Sequence, residues 1–357
     1  MNLIPYFLSR QQELLDLLKE LVELESPSGN KEAVDRCSQF VLEEFRAIGA
    51  RATTFPQAEI GDLHLIEYPG DKLYTQGRIL VLVHLDTVWK VGKLKDMPFF
   101  IDQDKAFGPG ALDMKAGIVM IIQALKAISK LKHVPQKTIQ VFLDSYEEKG
   151  SARVNQKIRE LAHDSALVLC LEPAIPGGAL KLRRKGRLVV RVETEGKAAH
   201  AASPELGLSA IDELLLQLKN LQRLRSQSIS LNIGEISGGE AVNVVAPRAE
   251  AILDIRFRTE IQAQRIKTTL KNLKSSQPGT RVIITVEQEM PPLEHSRASA
   301  AMLRKVTHIA REMNLELKGG RTGGGSDASI AAQEGIPVLD GLGPDGDGIH
   351  AEHEHVL

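Results

Sequence analysis

Histidine and carboxylate side chains recur along this chain in one ordered series: His84-Leu85-Asp86-Thr87, Gly110-Ala111-Leu112-Asp113-Met114-Lys115, Glu147-Glu148, and Glu172-Pro173. Delivered to one place, Asp113, Glu147, Glu148 and Glu172 would repel one another strongly unless protons or cations neutralised them. Imidazoles mixed with carboxylates suit Zn²⁺ or another borderline divalent ion, and the carboxylates are numerous enough for two ions. Two such ions, roughly 3.5–4 Å apart, polarise a carbonyl and activate water near neutral pH. An adjacent glutamate pair fits that chemistry, because one can ligate while the other stays available as a general base. Taken singly, each group is ambiguous. A His-x-Asp at a strand end commonly makes a local hydrogen bond, a Glu-Glu pair is commonly a solvated surface, and Asp113 would equally serve as a helix cap. The ordered series is what points to a site.

The elements that must position these groups follow from hydrophobic periodicity. Residues 78–85 (RILVLVHL), 138–143 (TIQVFL) and 165–171 (SALVLCL) are near-continuous apolar runs, expected of strands covered on both faces. Each leads into one member of the series, and open α/β sheets bind ligands outside the carboxyl ends of their strands. Leucines at helical spacing predict a helix over 7–24, a second over 31–48, and a buried one over 115–128. From Gly178 onward the pattern alternates with period 2, predicting strands over 180–185, 187–195, 229–233, 249–257 and 281–286. Helices over 204–224 and 261–273 interleave with them. A helix over 298–312, a Gly-rich loop over 319–325 and a strand over 336–339 complete the chain. The fold class expected is α/β: a three-layer catalytic domain with a mostly parallel sheet (1–183 and 291–357), interrupted by a smaller α+β lid or dimerisation domain (184–290).

Composition narrows the function classes. Of 357 residues, 43% are hydrophobic and 25% charged, as in a chain that buries a sizeable core. Lys+Arg at 45 against Asp+Glu at 46 leaves a net charge of −1, which supplies no field to hold nucleic acid. The longest apolar stretches, 117–125 and 166–171, fall far short of the ~20 residues that span a bilayer. No basic segment followed by an apolar one opens the sequence, so neither a leader peptide nor a membrane partner is expected. Cys37 and Cys170 cannot form a disulfide framework, and a cytoplasmic location is the expectation.

The series resembles the dinuclear zinc family of acetylornithine deacetylase, succinyl-diaminopimelate desuccinylase and glutamate carboxypeptidase. The likeness continues in Gly196-Lys197-Ala198-Ala199-His200-Ala201, Asn243-Val244-Val245-Ala246-Pro247, Gly323-Gly324-Gly325-Ser326-Asp327-Ala328 and His350-Ala351-Glu352-His353-Glu354, so it spans nearly the whole chain. Val88-Trp89 after Thr87, and Arg321-Thr322-Gly323-Gly324-Gly325, look most like the glutamate carboxypeptidase branch.

The resemblance implies two zinc ions, with cobalt or manganese as substitutes, bridged by Asp113. His84 and Glu172 would complete one ion, and Glu148 and His350 the other. Glu147 matches the general base, and Asp86 the carboxylate that orients His84. A cis bond between Asp113 and Met114 is implied as well. In the lid, His200 matches the histidine that reaches the partner subunit's site and stabilises the oxyanion, which implies a homodimer. Asn243, Arg321, Gly324 and Gly325 match substrate-binding positions. The activity implied is hydrolysis of an amide bond in a small peptide or N-acyl amino acid. A deacylase of the acetylornithine type, a two-metal phosphoesterase and a non-catalytic binding module are the alternatives. Glutamate carboxypeptidases usually carry a basic residue before the proline that leaves the lid, where this chain has Glu287-Gln288-Glu289-Met290-Pro291. Glutamate specificity is therefore not carried over. Relatives also continue into a terminal helix, whereas this sequence stops at Val356-Leu357.

Overall fold

The computed structural model describes residues 3–71, 73 and 77–357. The chain divides into two compact units. One comprises Met1–Leu182, His295–Thr322 and Ser326–Leu357; the other comprises Arg183–Glu294 and Gly323–Gly325.

The first unit is built on a six-stranded sheet. Its strands are ordered Arg51–Phe55, Leu63–Tyr68, Ile139–Asp144, Arg78–His84, Ser165–Cys170, Val338–Leu339. The first two pairings are antiparallel and the remaining three parallel. Side chains alternate across a strand. Val81, Val83, Val141 and Leu143 share a buried cluster with the helices Gln11–Glu23, Lys31–Ala47 and Ala116–Lys130. The alternate residues Leu80, Leu82, Phe142 and Val168 are buried too. The helices Ala152–His163, Asp327–Ala331 and Arg297–Glu312 pack on the strands Ser165–Cys170 and Val338–Leu339. Covered on both faces, the central strands are mainly apolar; the buried Gln140 is an exception, its side chain donating to Glu67 at 2.8 Å.

The second unit holds a four-stranded antiparallel sheet. Its order is Ser230–Gly238, Arg248–Phe257, Gly186–Glu195, Arg281–Met290. Leu188, Val190, Val192, Leu253 and Ile255 pack against Leu214 and Leu218 of the helix Ala210–Leu221 and Ile266 of the helix Glu260–Lys271. The other face is a charged ladder in which Arg191 pairs with Glu250 and Glu287, and Arg187 with Asp254.

Several element ends differ from the sequence expectations. Strands predicted to stop at Ile233 and Val286 run on to Gly238 and Met290 through register shifts at Ile233/Glu235 and Val286/Gln288. Each bulge inserts one residue and inverts the alternation that periodicity reads. The helix predicted over 204–224 is broken, because Leu208 pairs with Lys197 through both backbone bonds before Ser209 caps the helix Ala210–Leu221. The predicted 7–24 helix divides into Ile4–Leu8 and Gln11–Glu23. The loop predicted over 319–325 begins as the strand Gly319–Thr322.

One contact ties this packing to the site. Gly117, in the first turn of the helix Ala116–Lys130, lies so close to the strand end preceding Glu172 that a Cβ would meet the Leu171 carbonyl oxygen at 2.5 Å. Helix propensity favours Gly→Ala by about 1 kcal/mol, but overpacking against backbone costs about 1–3 kcal/mol. Because the atom met is backbone, the cost falls at the upper end, and Gly117→Ala is expected to lower stability by about 1–2 kcal/mol net in urea unfolding. An unchanged or raised midpoint would show that the helix does not sit this tightly.

Candidate metal centre

The carboxyl ends of the parallel strands place most of the acidic groups. His84 ends one strand, Glu147 and Glu148 follow the strand Ile139–Asp144, and Glu172 follows Ser165–Cys170. Asp113 arrives on the turn after Gly110, whose φ of 73° is left-handed and whose Cβ would meet Thr87 Cγ2 at 2.5 Å. Glycine alone satisfies both conditions there. The Asp113–Met114 bond is cis.

Two triads result, and Asp113 belongs to both. Its Oδ1 lies 3.2 Å from His84 Nε2, which lies 3.6 Å from Glu172 Oε1. Its Oδ2 lies 3.5 Å from His350 Nε2, which lies 3.0 Å from Glu148 Oε1. Within each triad the donor atoms all fall within 4.8 Å of one another. One carboxylate thus presents one oxygen to each of two sets of donors.

The surroundings hold these groups in place. His84 Nδ1 lies 3.0 Å from the Asp86 carbonyl oxygen and 3.5 Å from its carboxylate Oδ1. The Asp86 carboxylate is turned mainly to the glutamate pair: it accepts the N–H of Glu147 at 3.0 Å and of Glu148 at 3.2 Å, and the Ser28 hydroxyl at 2.6 Å. Lys181 Nζ stands 3.5 Å from Glu172 Oε2, leaving Oε1 toward His84. Neither Ser28 nor Lys181 was singled out by sequence reasoning. A serine in a turn and a lysine in an alternating strand carry no distinguishing pattern.

The lid residues belong to the second unit. His200 and Asn243 are both exposed and lie on neighbouring segments, joined by the Ala201 N–H to the Asn243 carbonyl at 2.9 Å. His200 Nδ1 accepts the Ala202 N–H at 3.0 Å, which leaves its hydrogen on Nε2. The carbonyl oxygens of Gly324 and Gly325 accept from Arg184 Nη1 at 3.4 and 2.7 Å, and that of Gly323 from Arg256 Nη1 at 2.8 Å. Arg256 is further engaged by Asp254. Arg321 is exposed in the strand Gly319–Thr322 of the first unit. Among the remaining histidines, His64 is buried between Thr54 and Ser38, and His355 bonds the His353 carbonyl.

The electrostatics show what the donors lack. Burial, then Glu172, push the Glu147 carboxyl well above its ordinary range. Burial likewise raises Glu148, opposed by its bond to His350. Burial, then Asp86, bring Asp144 to about 7, and burial with Asp144 pushes Asp327 well up. Burial alone would lower His84, but bonds to Asp113, Asp86 and Glu172 raise it well above the usual imidazole range. Bonds to Asp113 and Glu148 raise His350 to about 10. Acids pushed upward beside imidazoles pushed upward mark a site short of positive charge, and two imidazoles with three carboxylates are a donor set suited to divalent cations.

That state has a measurable consequence. At pH 7 a His350 with a pKa near 10 carries a proton that it must release before Nε2 can donate to a cation. Metal uptake is expected to release at least one proton, with apparent affinity rising about tenfold per pH unit for each proton released. Calorimetry in buffers of differing ionisation enthalpy reads this directly. An observed enthalpy independent of buffer would contradict it.

Comparison with known proteins gives this arrangement its context. The chain is 30% identical to carboxypeptidase G2 of Pseudomonas sp. (strain RS-16) over 354 residues, covering 96% of this chain and 84% of that protein. It is 28% identical to succinyl-diaminopimelate desuccinylase of Wolinella succinogenes over 265 residues, covering 70% of this chain and 71% of that protein. Among solved structures, a tripeptidase from Staphylococcus aureus superposes with a TM-score of 0.78 at 24% identity, covering 97% of this chain and 93% of that one. A metallo-carboxypeptidase from Sulfolobus solfataricus superposes at 0.71 with 16% identity, covering 96% and 94%. Peptidase family M20/M25/M40 matches over residues 80–357. The α/β fold and the twinned triads thus stand in a chain that belongs to Peptidase family M20/M25/M40 and is a metal-dependent amide hydrolase.

Proposed function

We propose that this hydrolase cleaves the amide bond of a small peptide or N-acyl amino acid at a two-zinc centre, with Glu147 as general base. The observation that carries the reading is the division of Asp113, one oxygen to His84 and the other to His350. A peptide bearing a C-terminal carboxylate is favoured, because the likeness to carboxypeptidase G2 runs over 96% of the chain. The alternative is an N-acyl amino acid, as the likeness to the desuccinylase supports.

Divalent ions at the triads would supply Lewis acidity to the scissile carbonyl and to the attacking water. His84, Asp113 and Glu172 would hold one ion, and Asp113, Glu148 and His350 the other. Glu147 takes the water's proton on its carboxylate and then delivers it to the leaving nitrogen. The bonds from the N–H groups of Glu147 and Glu148 to Asp86 keep the base and its ligating neighbour in register. His200 donates from Nε2 to the developing oxyanion, a role that its tautomer supports. Asn243, Arg321, Gly324 and Gly325 contact the substrate's polar groups.

A homodimer through the lid (184–290) belongs to the same reading. Ile211, Leu215, Leu216 and Ile236 are exposed apolar side chains of that unit, and Ser230–Gly238 is an edge strand of its sheet. Among the described residues no helix is long and apolar enough to cross a membrane. A cytoplasmic site of action accords with Cys37 and Cys170 being buried thiols.

Glu147→Gln is expected to keep bound metal and lose turnover by about 10²–10⁴-fold. Metal analysis beside a dipeptide and acyl-amino-acid panel tests this, and wild-type turnover in that variant would remove Glu147 from the mechanism. Asp113→Ala is expected to lose metal altogether, and retention of two ions would contradict the bridging role. His200→Ala should lower kcat by about 10²–10³-fold while metal content is unchanged; an unaffected kcat would discard the oxyanion role.

A further inference from the structure

Glu354 holds none of the roles above, and it is only 1% exposed. Its carboxylate is saturated with donors. Oε1 accepts the N–H groups of Leu112 at 3.0 Å and Asp113 at 3.1 Å. Oε2 accepts the N–H of Gly110 at 2.9 Å and the indole Nε1–H of Trp89 at 3.0 Å. Two N–H donors converge on each oxygen, which opposes the upward push that burial gives this carboxyl. The main chain joins in as well, since the Gly108 N–H donates to the Glu354 carbonyl at 3.3 Å.

These bonds tie together three segments that carry metal donors. Trp89 lies five residues beyond His84, Asp113 is itself a donor to Glu354, and Glu354 lies four residues beyond His350. The left-handed turn at Gly110 is part of the same construction, because it lies at the start of the segment whose N–H groups converge on the carboxylate. Three backbone N–H groups of residues 110–113 and one indole N–H end on a single buried side chain, so the turn carrying Asp113 is anchored to one point instead of by scattered loop contacts.

We propose that Glu354 is a positioning residue for the metal centre: by clamping the backbone of residues 110–113 and the Trp89 indole, it holds the two Asp113 oxygens between the His84 and His350 triads. The proposal rests on the two-ion reading above. Glutamine at this position has one acceptor oxygen and an NH₂ group, which would face N–H donors without being able to accept from them. Groups supporting a metal ligand from behind typically set affinity by 10–100-fold. Here the support passes through the ligand's backbone rather than its side chain.

The test uses the full chain, stripped of metal and titrated with Zn²⁺ against a competing chelator. E354Q is expected to bind zinc about 10–100-fold more weakly than wild type. Without metal, it should show a shifted emission of Trp89, the single tryptophan, and faster amide exchange at Gly110, Leu112 and Asp113. W89F removes one of the four donors and leaves three; it should weaken zinc by a smaller factor, about tenfold at most. A merely structural Glu354 would lower the melting temperature of the metal-free protein while leaving the zinc affinity of its folded fraction unchanged, and that result overturns the proposal. Should E354Q not fold, W89F decides alone, and wild-type affinity in W89F overturns it. Wild-type protein that binds no divalent ion would overturn the metal reading and this proposal with it.

Discussion

The constraint on which the site depends is like-charge repulsion. Asp86, Asp113, Asp144, Glu147, Glu148, Glu172 and Asp327 are concentrated at one end of the first unit's sheet and on the turns around it, in surroundings that strip away much of their water. Burial and mutual repulsion push Asp144, Glu147 and Asp327 upward, while the two imidazoles are driven toward their protonated forms. Such a concentration persists in a folded chain only when positive charge is supplied. Lys181 beside Glu172 supplies some of it locally. Asp113, with one oxygen facing each set of donors, offers a candidate place for the rest.

The scaffold turns that repulsion into a defined arrangement. Parallel strands end together, so residues distant in sequence emerge side by side. Close packing fixes the height of the turns that follow, with Gly117 against the Leu171 carbonyl and Gly110 against Thr87. Behind the donors stands a layer of carboxyl groups that accept backbone N–H groups. Asp86 takes those of Glu147 and Glu148, and Glu354 takes those of Gly110, Leu112 and Asp113. Each fixes main chain, and through it the direction of a neighbouring side chain. Rigid placement of this kind is what a general base beside polarised water requires.

Much of this was legible in the sequence, for identifiable reasons. The central strands declare themselves because burial on both faces demands unbroken apolar runs, as at Leu80 to Val83. Most of the acids stand out because they sit just past such a run, where a charged side chain has no structural reason to recur; Asp113 stands out by the Gly-rich turn that precedes it. What stayed hidden depends on three-dimensional detail. The strand extensions past Ile233 and Val286 are masked by bulges that invert the alternation. Glu354 lies in a short polar stretch, Glu352-His353-Glu354, where nothing separates a buried acceptor of four bonds from a solvated acid. Gly324 and Gly325 match substrate-binding positions by resemblance, but the engagement of the Gly323 to Gly325 carbonyls by Arg184 and Arg256 leaves no trace in the sequence.

Whether two cations flank Asp113 is decided by anomalous X-ray scattering at the zinc edge from crystals of zinc-loaded protein. Two peaks roughly 3.5–4 Å apart are expected, one against His84 and Glu172, the other against Glu148 and His350, with an Asp113 oxygen on each. Zinc-loaded crystals with no peak beside Asp113, or with a single ion bound elsewhere while these acids turn away from one another, would contradict the two-ion centre.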